Sequence, residues 1–345
     1  MQPQADEAEL DIEQPDKLLA YLRTHGRIGA DEQPRIEVLR GGVSNRTVLV
    51  ERPSGEAWVL KQALAKLRVA VDWFSDPARI EREAAGLRVL GKLAPPGSIT
   101  PLVFSDDRHH LLAMEAVPRP HDNLKTLWLD GKLEPWHVEQ LAKLLGEIHG
   151  AAWERRDELA EQFSDRQFFE SLRLEPYYAY TATREPAAAD FLHSLIADTR
   201  ARRLTLVHGD YSPKNVLVRE QQLILLDHEV IHWGDPMFDV GFALAHILSK
   251  AHHLRQLRYE FGVAARDFFS SYRRTLGYVP WCDDEAMAVR QTLGCLLARC
   301  CGRSPLEYLS EQERQRQRNI VVEMMQRPPQ RIGGLIASFL RAFLP

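Results

Sequence analysis

The sequence is poor in cysteine, in long apolar runs and in net charge. Four cysteines occur in 345 residues, Cys282, Cys295, Cys300 and Cys301, all in the last quarter. Their spacing fits no metal-ligand pattern, and the neighbours Cys300 and Cys301 cannot pair without strain. Free, buried thiols in a reducing compartment are expected. No stretch approaches the ~20 apolar residues that span a bilayer; the nearest, Ile332 to Leu344, is short and broken by Arg341. The first residues carry Asp6, Glu7, Glu9, Asp11 and Glu13 where an export signal needs positive charge and then an apolar run. A cytoplasmic protein with no membrane partner is expected. A formal net charge of −4 gives no general reason for nucleic-acid binding. Internal repeats, low-complexity segments, a Walker A loop and a dinucleotide fingerprint are also absent.

What is present reads as an ordinary folded protein, 45% hydrophobic and 27% charged, long enough for about two domains. Residues 1–34 form an acidic segment, frayed over 1–15, and a short helix from Asp16 with Leu18, Leu19 and Leu22 on one face. Residues 35–117 change period. Strands are expected over 35–40, 47–52, 57–64, 100–104 and 111–117, with one helix from Asp76-Pro77 carrying Ile80, Ala84, Leu87 and Leu90. From 118 to 345 helical periodicity dominates, around a strand-rich patch at 204–226. The expected class is α+β: a small five-stranded antiparallel amino-terminal lobe and a mostly helical carboxy-terminal lobe.

The chemistry concentrates in that patch. In Leu206-Val207-His208-Gly209-Asp210-Tyr211-Ser212-Pro213-Lys214-Asn215-Val216, two polar groups sit on a loop between apolar strands. Asp210 suits accepting a proton from, or orienting, an incoming hydroxyl. Asn215, five residues on, offers a neutral carbonyl oxygen to magnesium, and the run Leu223 to Leu226 delivers the carboxylate of Asp227. A lone aspartate at a strand end equally serves as a turn or cap; the ordered set points to phosphoryl transfer. In the first lobe Gly41-Gly42 permits close approach of a turn to phosphates, with Ser44 or Asn45 as donors, although GGVSN alone also fits a plain hairpin. Lys61, facing inward on a strand, requires an acidic partner. Glu83 supplies one, with Glu81 as competitor.

The segments HGDYSPKN and LLDHEVIHWGDPMFDVGF resemble the aminoglycoside phosphotransferase and choline kinase-like family, whose fold is that of protein kinases. The resemblance implies ATP (or GTP) and Mg2+ as cofactors, with Asp210 catalytic and Asn215 and Asp227 as metal ligands. It implies Lys61–Glu83 as the phosphate-contacting pair, and His208 and Asp239 as supports of the catalytic loop. Backbone groups of Glu115, Ala116 and Val117 would meet the purine. Ser212 and His228-Glu229 depart from the protein-kinase pattern and argue against a protein substrate. A hydroxylated small molecule is the expected partner, for a monomer or homodimer. The alternatives are a catalytically silent nucleotide-binding scaffold and, less favoured, a protein kinase.

Other features read blandly. His109-His110 and His252-His253 lack ligand partners at helical spacing, and Arg314, Arg316 and Arg318 describe a solvated helix face. Glu154, Asp157, Glu158, Asp283, Asp284 and Glu285 suit a cationic acceptor or simply solvation. The tract 297–305 offers a substrate wall or a helix end at Gly302. The apolar residues Leu335, Ile336, Phe339, Leu340 and Phe343 are expected to pack on the helical lobe.

Overall fold

Strand-forming runs and the turns between them build the first sheet of the computed structural model, which describes residues 10–39, 42–68 and 72–343. Gly41 lies outside the described residues. The chain divides into two compact units, Met1–Arg88 with Thr100–Arg119, and Val89–Ile99 with Pro120–Pro345.

The first unit holds β1 (Arg35–Val38), β2 (Asn45–Glu51), β3 (Ala57–Ala63), β4 (Leu102–Asp106) and β5 (Leu111–Glu115). They form one antiparallel sheet in the order β1-β2-β3-β5-β4. Leu60 pairs with Val48 on one side and Ala113 on the other. These residues, with Val50, Trp58 and Leu111, form a buried cluster that α1 (Pro15–Thr24) covers through Leu18, Tyr21 and Leu22. The expectation of a frayed start fails from residue 10 onward. Leu10 and Ile12 are buried in this cluster, and Gln62 ties the segment down by donating to the Leu10 carbonyl at 2.7 Å. Two apolar side chains outweigh the polar composition around them. The helix α2 (Arg79–Leu93) follows a turn in which Asp76 accepts from the Ala78 amide at 2.9 Å. Its inward stripe of Ile80, Ala84, Leu87 and Leu90 also contains Glu83, wholly buried.

In the second unit the strand-rich patch resolves into two small sheets. One pairs β6 (Asp122–Asn123), β8 (Val216–Arg219) and β9 (Gln222–Leu225); the other pairs β7 (Thr205–Val207) with β10 (His232–Gly234). Around them lie α3 (Leu124–Leu129), α4 (Pro135–Glu154), α5 (Arg156–Gln162), α6 (Gln167–Phe169), α7 (Tyr180–Arg184) and α8 (Ala189–Ala201). The long helices α9 (Pro236–His253), α10 (Arg258–Leu276), α11 (Glu285–Cys301) and α12 (Glu311–Gln326) follow, and then α13 (Ile332–Arg341). Between α6 and α7 the chain winds as a π-helix over Glu170–Ala179. Pro176 inside it cannot donate the bond an α-helix requires.

Helices α9 and α11 cross at Gly241. A Cβ there would lie 2.5 Å from Gln291 Cβ and 2.7 Å from the Thr292 amide nitrogen. The two backbones approach as only glycine permits. Leu335, Ile336 and Phe339 of α13 are buried, and α13 packs on α10, where Gly262 faces Leu340. No helix among the described residues is long and apolar enough to cross a membrane.

Candidate active site

The loop after β7 is held by one carboxylate. Asp239, fully buried in the first turn of α9, accepts the His208 amide on Oδ2 at 2.7 Å and the Gly209 amide on Oδ1 at 2.8 Å. His149 of α4 approaches Oδ2 at 3.3 Å. Gly209 has φ +79, and a Cβ there would stand 2.9 Å from Val230 Cγ2 and 3.1 Å from the Val230 carbonyl oxygen, so both conformation and space demand glycine. The His208 ring spans the loop: Nδ1 accepts the Asp210 amide at 3.1 Å and Nε2 donates to the Leu226 carbonyl at 3.2 Å. That pattern needs a neutral imidazole, and burial pushes its pKa down.

Asp210 follows at 5% exposure. Its carboxylate meets Arg173 Nη2 at 2.9 Å. Burial works to raise its pKa, but the charges of Arg173 and Lys214 outweigh that and hold it below the usual carboxylate range. Arg173 also donates from Nε to the Gly209 carbonyl at 2.8 Å and from Nη1 to the Leu172 carbonyl at 2.8 Å. This arginine, on the π-helical stretch, escaped the sequence reading. Asn215 gives Nδ2 to the Asp210 carbonyl at 3.0 Å, which fixes the amide and leaves Oδ1 to present an oxygen. The Leu226 amide donates to the Asn215 carbonyl at 2.8 Å, carrying the chain to Asp227. Asp227 is half-buried and has φ 71, a conformation that costs a non-glycine residue free energy and concentrates at functional sites. Ser212 is wholly buried.

In the first unit Lys61 Nζ lies 2.6 Å from Glu83 Oε1, while Glu81 is exposed. Gly42 is exposed at the turn before β2. Ser44 and Asn45 are not set out as free donors there: both are buried, and Asn45 Nδ2 donates to Ser44 Oγ at 3.2 Å. The fully buried Arg79 explains this. It donates to the carbonyls of Ser44 and Leu64, with 2.9 Å to the latter, and pulls the segment inward. Of the three residues expected at the purine, Glu115 and Ala116 give their amides to the carbonyls of Pro101 and Ala57, each at 2.9 Å. The Val117 amide has no such bond among the described residues.

Four of the six acidic residues that suited a cationic acceptor or solvation are engaged elsewhere. Asp283 and Glu285 pair with Arg273, Asp284 pairs with Arg202 and caps α11, and Glu158 pairs with Arg155. His252 and His253 each turn to Glu313, the first to its carbonyl and the second to its carboxylate. His109 does meet a histidine, but from another element: His25, Asp106 and His109 place ligand atoms within 4.8 Å of one another. The carboxylate of Asp106 is already taken by Tyr21 at 2.6 Å and His109 at 2.8 Å.

The sequence model of the phosphotransferase enzyme family matches residues 35–273. No curated protein matches the chain. Among solved structures, the amicoumacin kinase hAmiN in complex with AMP-PNP, Ca2+ and Ami superposes with a TM-score of 0.57 at 14% identity, covering 90% of this chain and 94% of that one. The GDP and kanamycin complex of APH(2")-IIia gives 0.51 at 16% identity, covering 89% and 97%. A choline/ethanolamine kinase family protein from Mesorhizobium loti gives 0.50 at 14%, covering 95% and 98%. The fold is protein kinase-like.

Proposed function

Since the chain belongs to the phosphotransferase enzyme family, we propose that it transfers the γ-phosphoryl group of ATP (or GTP) to a hydroxyl of a small molecule. The observation that carries this is the double clamp of Asp239 on the His208 and Gly209 amides. It holds rigid a loop whose next side chain is an ionised carboxylate. Phosphoryl transfer asks a protein mainly for positioning and charge stabilisation, and a loop fixed at two amides supports that demand.

The roles follow from the donors present. Asp210 orients the acceptor hydroxyl and takes its proton as the oxygen bonds to the γ-phosphorus; the bond to the bridging oxygen breaks and the nucleoside diphosphate leaves. Asn215 Oδ1 and the Asp227 carboxylate are hard oxygen donors and fit Mg2+, which, when bound, supplies countercharge to the phosphates. Asn215 is already oriented for that task by its bond to the Asp210 carbonyl. Lys61, steadied by Glu83, contacts the phosphates, and the Val117 amide serves the purine. Related folds have been solved with AMP-PNP and with GDP, so both nucleotides belong in the assay.

The test is Mg2+-dependent nucleoside diphosphate release across a panel of hydroxylated metabolites, with Asp210→Ala as control. Transfer that falls about 10²–10⁴-fold in the variant, with nucleotide binding kept, supports the reading. Nucleotide binding with no transfer to any acceptor replaces it with a silent nucleotide-binding scaffold.

A further inference from the structure

We propose that Arg173, Arg299 and Lys250 form a subsite for an anionic group, a carboxylate or phosphate, carried by the acceptor whose hydroxyl meets Asp210. The proposal rests on the phosphotransfer reading and names the substrate class of that same site.

Arg299, on α11, is 7% exposed and has no carboxylate partner among the described residues. Its guanidinium lies over the rings of Tyr177 at 5.1 Å and Phe242 at 5.4 Å. Nη1 donates to the Ser304 carbonyl at 2.7 Å and to its hydroxyl at 3.1 Å. Nη2 lies 3.1 Å from His246 Nε2, which must therefore be the acceptor on a neutral ring. Nε meets no acceptor among the described residues. The Tyr177 ring is shared, since Arg173 lies over it at 5.8 Å. One aromatic ring thus links Arg299 to the arginine that holds Asp210.

Beyond His246 stands Lys250, fully buried on α9. Among the described residues its one hydrogen bond is long, 3.4 Å, to the His246 carbonyl. The ammonium lies over Trp128 at 5.8 Å and Tyr308 at 5.2 Å. Both rings carry a buried polar atom without a partner among the described residues, Trp128 Nε1 and Tyr308 Oη. Arg299 Nε is a third such donor, on the guanidinium whose field acts on Lys250.

Buried cations without carboxylates are costly, and buried donors without acceptors are too. A carboxylate or phosphate answers both demands. The nearby acidic residues do not. Glu307 is bridged to Lys125 and Glu175 to Arg303, while Asp227 and Glu229 act on Arg173 at the Asp210 end. A quaternary ammonium or a polyamine placed here would face Arg299 and Lys250, two cations without a carboxylate, since Arg173 is already paired with Asp210. That disfavours choline-like and aminoglycoside-like acceptors and favours hydroxy acids and sugar phosphates.

The nucleotide's own phosphate is the other source of the same chemistry, and the experiment separates the two. The full chain with Mg2+ and ATP or GTP is offered glycerate and ribose 5-phosphate, their neutral counterparts glycerol and ribose, and the cations choline and kanamycin. Turnover should favour the anions at least tenfold in kcat/KM. Arg299→Gln should raise the KM of the anionic acceptor about 10–100-fold with the nucleotide KM unchanged, and Lys250→Met should do the same without loss of fold. Equal or better turnover of neutral or cationic acceptors overturns the proposal while leaving phosphotransfer standing. So does a variant that raises only the nucleotide KM. If no acceptor is phosphorylated, the phosphotransfer reading fails separately, and calorimetric titration with inorganic phosphate decides the subsite. Saturable binding lost in Arg299→Gln sustains the anion site, and no binding overturns it.

Discussion

The ammonium of Lys61 stands 2.6 Å from the carboxylate of Glu83, which has no solvent-exposed surface, and Lys61 itself is only 11% exposed. A charge pair so withdrawn is held by mutual need: desolvation has been met for both ions, and removing one takes the counter-charge from the other.

Lys61→Met should therefore destabilise the protein by about 3–5 kcal/mol, because the buried Glu83 loses its ammonium partner. The double variant Lys61→Met, Glu83→Leu should recover most of that loss in a thermal melt yet remain unable to turn over MgATP. Recovery of turnover along with stability would show that Lys61 has no task beyond neutralising Glu83.

Asp239→Asn keeps the size but leaves one acceptor oxygen for two amides. One of His208 N–H and Gly209 N–H then loses its partner inside a dry site, at about 1–3 kcal/mol. The expected result is a lower unfolding midpoint together with a reduced kcat, since the same bonds position Asp210. A fall in stability with kcat unaltered would sever the clamp from catalysis.

How much of this could be read from the chain depends on the range of the contacts. The fold class and reaction class were legible because strand periodicity and the order of Asp210, Asn215 and Asp227 are local properties. Arg173 was not. It reaches Gly209 from 36 residues away, on a helix whose π-helical winding no simple period announces. Arg79 acts likewise over 35 residues on Ser44, so the burial of Ser44 and Asn45, which the sequence offers as alternative donors at the turn, is not visible in the local pattern. The sequence names Glu115 to Val117 alike for the purine, and only strand register reveals that the amides of Glu115 and Ala116 are spent, which leaves their carbonyls. The acidic cluster at 283–285 suggested a cationic ligand because its partners Arg202 and Arg273 are recognisable only after folding.

Lys250 gives a prediction in pH. Burial, with the fields of Lys125 and Arg299 opposed by Glu307, lowers its pKa to about 7. The unfolded chain holds that proton up to about pH 10.4. Between these values the unfolded state binds more protons, so stability rises with pH across that window, is free of the penalty above it and bears it fully below about 7. Lys250→Met should be more stable than the wild type at pH 7, by on the order of a few kcal/mol, and should lose the rise in urea-unfolding free energy between pH 7 and 10. An unchanged slope would mean that Lys250 is not the titrating group.

Gly241→Ala should cost about 1–3 kcal/mol, because the new methyl meets backbone rather than a yielding side chain. Differential scanning calorimetry checks it. A neutral result would mean that α9 and α11 shift apart without penalty.

That crossing has an evolutionary consequence. Helix α9 carries Asp239, His246 and Lys250, and α11 carries Arg299, so substitution at Gly241 disturbs the loop clamp and the cation cluster together and is closed to gradual change. Arg173 and Tyr177 ride on the π-helical stretch, whose Tyr178 donates to Gln291 of that same crossing at 2.7 Å. A descendant lineage seeking a new acceptor must therefore change several contacts at once, because the segment that holds Asp210 is keyed to the same frame.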